Sequence, residues 1–382
     1  MQTGLLSTYL KPLKTRHVGA WTLSSLLIGF FLIFYFTVML DARLLDLGVG
    51  GKPLASLLNS ATSALGLSNK WWLYSWLYTL AMVIGGVFFL SKHAKTPYQR
   101  WRTITVVMVQ IVFVMALPYL MVYFEKPVYN FAMFWPLKHD TFYPGTTKNL
   151  PELYMMYSIV GAFFLVPALT FLFGKRWYCS WACGCGGLAE TAGDSFRHLS
   201  NKSTNAWRFE RYSIHLVLLF VIINTILVII HFKLRAELGA SYTTEFPTFS
   251  SIAVPLALFY KFMIASLLSG VLGVGLYPLM GSRVWCRFFC PLAALMGIIQ
   301  KYGRFRITVK DDMCISCGNC STYCEMGIDV RAYAQKNQSF KRASCVGCGM
   351  CEHVCPRGVL KLENKWDFAS WGKDPARNVA EI

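Results

Sequence analysis

The sequence predicts an all-α polytopic membrane protein of six transmembrane helices, followed by a small α+β domain on the cytoplasmic side. Three observations carry this. Of 382 residues, 55% are hydrophobic and only 15% charged, an apolar excess beyond that of soluble domains. Six apolar runs are each about long enough to cross a hydrocarbon core of roughly 30 Å. Beyond Gly281 the chain turns polar and carries eight regularly spaced cysteines together with 15 Lys or Arg.

The apolar runs fall at 21–40, 71–91, 103–124, 153–173, 212–232 and 252–280. The first five contain no Asp, Glu, Lys or Arg, and the sixth contains Lys261 alone. The first run is too long for the h-region of a signal peptide and is expected to remain as an anchor. A formal net charge of +18 could point to nucleic acid, but in so apolar a chain it reads as loops facing anionic lipid, and no nucleic-acid partner is expected.

Connections 1–20, 92–102 and 174–211 hold 13 Lys or Arg, against eight in 41–70, 125–152 and 233–251. The positive-inside rule therefore puts both termini, and every cysteine, on the cytoplasmic side. Tryptophans 71, 72, 76, 101, 177, 207 and 285 fall near the ends of spans and read as headgroup-level belt residues. The domain division that results is 1–301 for the membrane part, 302–364 for the soluble domain and 365–382 for a tail.

Within the soluble domain, "CISCGNCSTYCE" begins at Cys314 and "CVGCGMCEHVCP" at Cys345. Both are Cys-x2-Cys-x2-Cys-x3-Cys, the ligand spacing of a two-cluster bacterial ferredoxin, in which the fourth cysteine of each run serves the other cubane. On that pattern Cys314, Cys317, Cys320 and Cys355 hold one [4Fe-4S] cluster. Cys324, Cys345, Cys348 and Cys351 hold the second. Pro356 follows the last cysteine, whereas Glu325 stands in the corresponding place after Cys324. Clusters of this type transfer single electrons over a wide range of potentials, so the spacing establishes electron transfer and not its direction.

Two more cysteine pairs lie at the predicted membrane edge, in "WYCSWACGCGG" (177–187) and "VWCRFFCPLAAL" (284–295). Each follows a span, places an aromatic residue before and between its cysteines, and has Cys-x3-Cys spacing. They read as one device used twice, with 103–173 and 212–280 as parallel repeats that bring Cys179, Cys183, Cys286 and Cys290 together. Four thiolates there could bind a third cluster or another soft metal, act as a reversible dithiol, or simply pack. Cys185 has no counterpart in the second motif; it is a replacement ligand or inert, and the inert reading is preferred.

These features resemble the membrane polyferredoxins of the NapH and NosR type and, more distantly, the CcoG (RdxA/FixG) assembly proteins, over most of residues 70–360. Family members carry Cys-x3-Cys-Pro, which Cys286, Cys290 and Pro291 match fully and Cys179 and Cys183 only in part, because Gly184 follows. The resemblance implies a protein of the bacterial inner membrane that relays electrons between the quinone pool, cytoplasmic [4Fe-4S] clusters and partner redox subunits. A CcoG-type assembly factor, reducing a metal ion or thiol for another enzyme, is the alternative.

Haem is not expected, because the only histidines within the predicted spans, His215 and His231, are sixteen residues apart on one helix, about 24 Å at 1.5 Å per residue. No dinucleotide or phosphate-binding fingerprint appears, so no flavin or nicotinamide site is expected. Lys261 either faces a wet cavity, where it could contact a quinol, or snorkels to the outer interface.

Overall fold

A computed structural model of the chain describes residues 18–47, 60, 62–64, 70–129, 131–138, 151–238 and 247–365. Most of the expected outer loops, the first seventeen residues and all but Lys365 of the expected tail lie outside the described residues.

Among the described residues, six helices are long and apolar enough to span a membrane. The first four are α1 (Val18–Leu47), α2 (Lys70–His93), α3 (Pro97–Tyr123) and α4 (Glu152–Phe173). After two short helices, α5 (Arg176–Cys179) and α6 (Gly184–Glu190), come α7 (Thr204–Leu238) and α8 (Pro255–Gly275). On α2, Leu80, Ile84 and Val87 are 55%, 61% and 65% exposed while Met82 and Phe89 are fully buried, which separates a lipid-facing stripe from an inward one.

Hydropathy located the spans but not their ends. Helix α7 begins eight residues before the expected run and carries Arg208, Glu210 and Arg211 in its first turns, because backbone hydrogen bonding continues where apolar sequence stops. In α3 and α4 the helix widens to π geometry at Ile111–Ala116 and Gly161–Leu165, ahead of Pro118 and Pro167. A proline ring clashes with the carbonyl four residues earlier, and the wider turn relieves that clash.

Beyond α8, the short helix α9 (Val284–Phe288) and α10 (Pro291–Tyr302) lead into the C-terminal domain. Its two ends pair as antiparallel strands, β1 (Phe305–Val309) and β2 (Leu360–Asn364), with Phe305 opposite Asn364 and Val309 opposite Leu360. Between them lie α11 (Asn319–Thr322), α12 (Val330–Gln335) and α13 (Met350–His353).

This domain is packed onto the membrane part. Phe305, Ile307, Val330 and Phe340 belong to the same buried cluster as Trp285, Cys286 and Leu292. The Arg304 amide donates to the Phe171 carbonyl near the end of α4 at 2.9 Å. Two expected belt tryptophans are drawn into this junction: Trp285 is buried in the shared core, and Trp177 packs against it while donating to Thr170. Trp71, Trp76 and Trp101 are exposed, as a belt requires.

Candidate functional site

The eight tail cysteines surround two cavities. The distal one, about 360 Å3 including its open mouth, is lined by Cys314, Cys317, Cys320 and Cys355 with Arg331 and Arg357 at its edge. The proximal one, about 370 Å3 on the same basis, is lined by Cys324, Cys345, Cys348 and Cys351. The fourth cysteine of each run thus lines the cavity of the other run.

Local conformation explains how each short run wraps a cavity. Ser316 and Gly318 in the first run, and Gly347 and Gly349 in the second, all have positive φ at matching places. Gly318 and Gly349 each cap a single helical turn that carries the third cysteine. Ser316 tolerates the left-handed conformation with its hydroxyl bonded by Gln335.

The donor set of each cavity is four thiols in apolar surroundings, which suits an iron–sulfur cubane. Among the described residues no three Cys, His, Asp or Glu side chains converge tightly enough for a single metal ion, as a zinc site would require. Burial pushes the Cys320 thiol up to about 12 and the Cys345 thiol up to about 11, so ligation there must release protons.

The proximal cavity rests against the membrane part, and side chains from three segments grip its backbone. Tyr98 donates to the Gly347 carbonyl at 2.7 Å, and Gln99 and Arg102 both donate to the Cys348 carbonyl at 2.9 Å. Ser180 donates to the Val346 carbonyl at 2.9 Å and Gln300 to the Cys345 carbonyl at 2.9 Å.

The membrane-edge pairs occupy matching structures. The first pair follows Gly174 (φ 71°) at the end of α4 and the second follows Gly281 (φ 93°) shortly beyond α8, and a Cβ there would collide with Phe305 or Ser200 respectively. A short helix then carries the first cysteine, Cys179 in α5 or Cys286 in α9. The second cysteine, Cys183 or Cys290, is extended and stands at the N-cap of the next helix. Written out, the repeat is Gly-x-Arg-x-aromatic-Cys-x3-Cys, longer than the cysteines alone reveal.

All five of these thiols belong to or pack against one buried cluster. Cys185 is part of the group: it hydrogen-bonds Cys183 and lowers that thiol to about 7, and it lies within electrostatic reach of Cys286 and Cys290. Burial pushes Cys179 up to about 12, against the pull of Lys175. The preference for an inert Cys185 is therefore not supported by its position, which α6 sets by starting one residue before it.

Between the proximal cavity and these thiols lies a set of buried charges that no cysteine motif announces. Glu190 pairs with Arg102 at 2.7 Å and Arg283 at 2.5 Å, and Glu325 pairs with Arg197 and Arg283 at 2.9 Å each. Arg197 also meets Asp194 at 3.1 Å. Burial raises the Glu325 carboxyl, but Arg197 and Arg283 outweigh it and hold that group below the usual carboxylate range. The one sequence signal was Glu325 itself, standing where Pro356 stands in the other run.

Lys261 is exposed on the surface of α8 and joins none of these groups, which fits snorkelling and not a bundle-interior cavity. His215 is exposed and His231 is buried, both on α7.

Comparison with known proteins bears on the same segments. A 4Fe-4S dicluster domain matches residues 307–362, and a 4Fe-4S binding domain matches twice, at 155–203 and 262–310. The double match covers both membrane-edge pairs, so the two halves are alike by sequence as well as geometry. No solved structure matches the chain significantly. Among curated proteins, the chain is 27% identical over 192 residues to "Putative electron transport protein YccM" of Escherichia coli, covering 49% of this chain and 51% of that protein. It is 28% identical over 165 residues to the methylamine utilization ferredoxin-type protein MauN of Methylobacillus flagellatus, covering 42% and 52%. To MauN of Paracoccus denitrificans it is 27% identical over 172 residues, covering 44% and 54%. The chain spans about half the length of these relatives. It is a membrane protein with 4Fe-4S ferredoxin-type domains, homologous over part of its length to YccM and the MauN proteins.

Proposed function

We propose that the chain is a membrane electron relay in which three thiol sites act in series. Cys314, Cys317, Cys320 and Cys355 hold a distal [4Fe-4S] cluster, and Cys324, Cys345, Cys348 and Cys351 hold a proximal one. Cys179, Cys183, Cys286 and Cys290, with Cys185 beside them, form a third iron–sulfur site at the membrane edge. The clusters supply one-electron carriers when bound. The protein's own residues fix their order, exclude water and supply compensating charge.

One observation carries the reading: the proximal cysteines are held by the membrane part and are joined through buried arginines to the membrane-edge thiols. The distal cavity opens away from these contacts, with exposed Pro356 and Arg357 on its rim. Electrons then pass between a soluble or subunit partner at the distal site and a lipid-side carrier of the quinone class near the membrane edge. Lys261 is outside this line. The names of YccM and MauN, an electron transport protein and a ferredoxin-type protein, agree with a relay. The excess of Lys and Arg near the cysteine-bearing ends of the spans supports a cytoplasmic placement in a bacterial inner membrane, both termini inside.

The test is iron and sulfide content with low-temperature EPR, for the wild type and for Cys179→Ala combined with Cys286→Ala. Three cubanes require about twelve irons and two require about eight. Loss of about four irons in the double variant is expected. A wild type holding only about eight, unchanged in the variant, would remove the third site.

A further inference from the structure

Glu325 occupies the residue after the fourth cysteine of its run, and its two carboxylate oxygens point in different directions. Oε2 lies 2.9 Å from Arg197 Nη1, and that nitrogen is 3.9 Å from Cys348 Sγ in the proximal site. Oε1 lies 2.9 Å from Arg283 Nη2, whose companion Nη1 is 3.8 Å from Cys286 Sγ and 3.2 Å from the Cys179 carbonyl. Glu325, Arg197 and Arg283 are all 1% exposed.

The groups around this carboxylate come from several elements. Glu190 from α6 shares Arg283 and also takes Arg102 from α3, and Asp194 holds the other side of Arg197. Among the described residues, the buried donors Arg102 Nε and Nη2, Arg197 Nη2 and Arg283 Nε have no hydrogen-bond acceptor, and Glu190 Oε2 and both Glu325 oxygens meet their arginines as ion pairs without hydrogen-bond geometry. Four cationic donors left over beside two thiol sites fit sulfur acceptors that carry negative charge, since unpaired buried donors are costly and charge-assisted bonds are strong.

We propose that Glu325 offsets part of the Arg197 charge beside the proximal cysteine site and thereby helps set the reduction potential there. The proposal rests on that site holding a [4Fe-4S] cluster. Reduction adds one electron from the mediator, and no bond forms or breaks. The charge fixed nearby therefore moves the equilibrium: a guanidinium favours the reduced form, and its carboxylate partner tempers that effect. Both groups are buried, so solvent screens them little. A proline at this position, as in the other run, would leave Arg197 and Arg283 without their shared carboxylate.

The experiment is EPR-monitored redox titration of the full chain in detergent, with iron content measured on each sample. Glu325→Gln keeps the side-chain shape and removes the charge. It is expected to retain iron and to raise the proximal midpoint by at least tenfold in the reduction equilibrium, about 59 mV for one electron. Arg197→Gln is expected to lower the same midpoint by a similar factor, and the distal midpoint is expected to move less in both. If either variant loses iron, Arg197→Lys, which keeps the charge but loses the fork, carries the comparison with a smaller downward shift. Unmoved proximal midpoints in iron-replete variants would overturn the role of Glu325. Absence of cubane signals from the wild type would instead overturn the cluster reading beneath it.

Discussion

The distal and proximal cavities are built from the same motif, yet they are held differently. The distal one is lined by residues 314–360 alone, and its rim residues Ile315, Ser316, Pro356 and Arg357 are exposed. At the proximal one, Tyr98, Gln99, Arg102, Ser180 and Gln300 bond its backbone, and buried Arg197 reaches one of its sulfurs. A duplicated local motif can therefore serve two roles, because spacing fixes what a loop encloses while the surface it docks on fixes its electrostatics and solvent access. Glu325 stands in place of proline after Cys324, the one first-run cysteine that lines the proximal cavity.

The sharpest way to break this contrast is to remove one ligand from each cavity. Cys348→Ser and Cys317→Ser should each lower bound iron by about four per chain. Only Cys348→Ser should also expose segment 346–348 to limited proteolysis, because ligation and docking are combined there. Equal protease sensitivity in the two variants would mean that the proximal cavity is no better anchored than the distal one.

A second test leaves the cysteines alone. Glu190→Ala takes the carboxylate from Arg102 and one of the two carboxylates from Arg283, both fully buried, and is expected to destabilise the folded chain by about 3–5 kcal/mol. Denaturant unfolding in detergent, followed by loss of cluster absorbance, would read this. A cost below about 1 kcal/mol would show that water reaches these charges.

The smallest effects grade the two surfaces. Gln99→Ala removes one hydrogen bond to the Cys348 carbonyl and should cost about 1 kcal/mol. Arg357→Ala, at the exposed distal rim, should stay within about 0.5 kcal/mol on the same measurement. If Arg357→Ala cost as much as Gln99→Ala, the distal rim would be structurally engaged after all.

Much of the molecule was legible in the chain because its signals are local. Apolar runs of membrane length located six spans, and cysteine spacing separated two groups of four thiols. The short resemblance between "WYCSWACGCGG" and "VWCRFFCPLAAL" pointed to a repeat, although its full extent from Gly174 and Gly281 shows only when the backbone is compared. Less legible were residues whose meaning depends on distant partners. Arg102 reads in sequence as a positive charge at a span end, and its burial against Glu190 depends on how α6 folds back onto α3. Trp285 likewise reads as a belt residue until α6, α7 and α8 pack around the short helix that carries it.

By itself, the sequence determined the class of protein, the number of spans, which cysteines line which cavity, and the pairing of the two membrane-edge motifs. These follow from periodicity and spacing, which act over a few residues or over the thickness of a bilayer. Only the tertiary structure decided which cavity faces the membrane part, that Cys185 joins the thiol group, and that Glu325, Glu190 and three arginines form one buried network. Those outcomes depend on contacts between segments as far apart as Arg102 and Cys348, where burial and charge compensation arise only after the domains have packed.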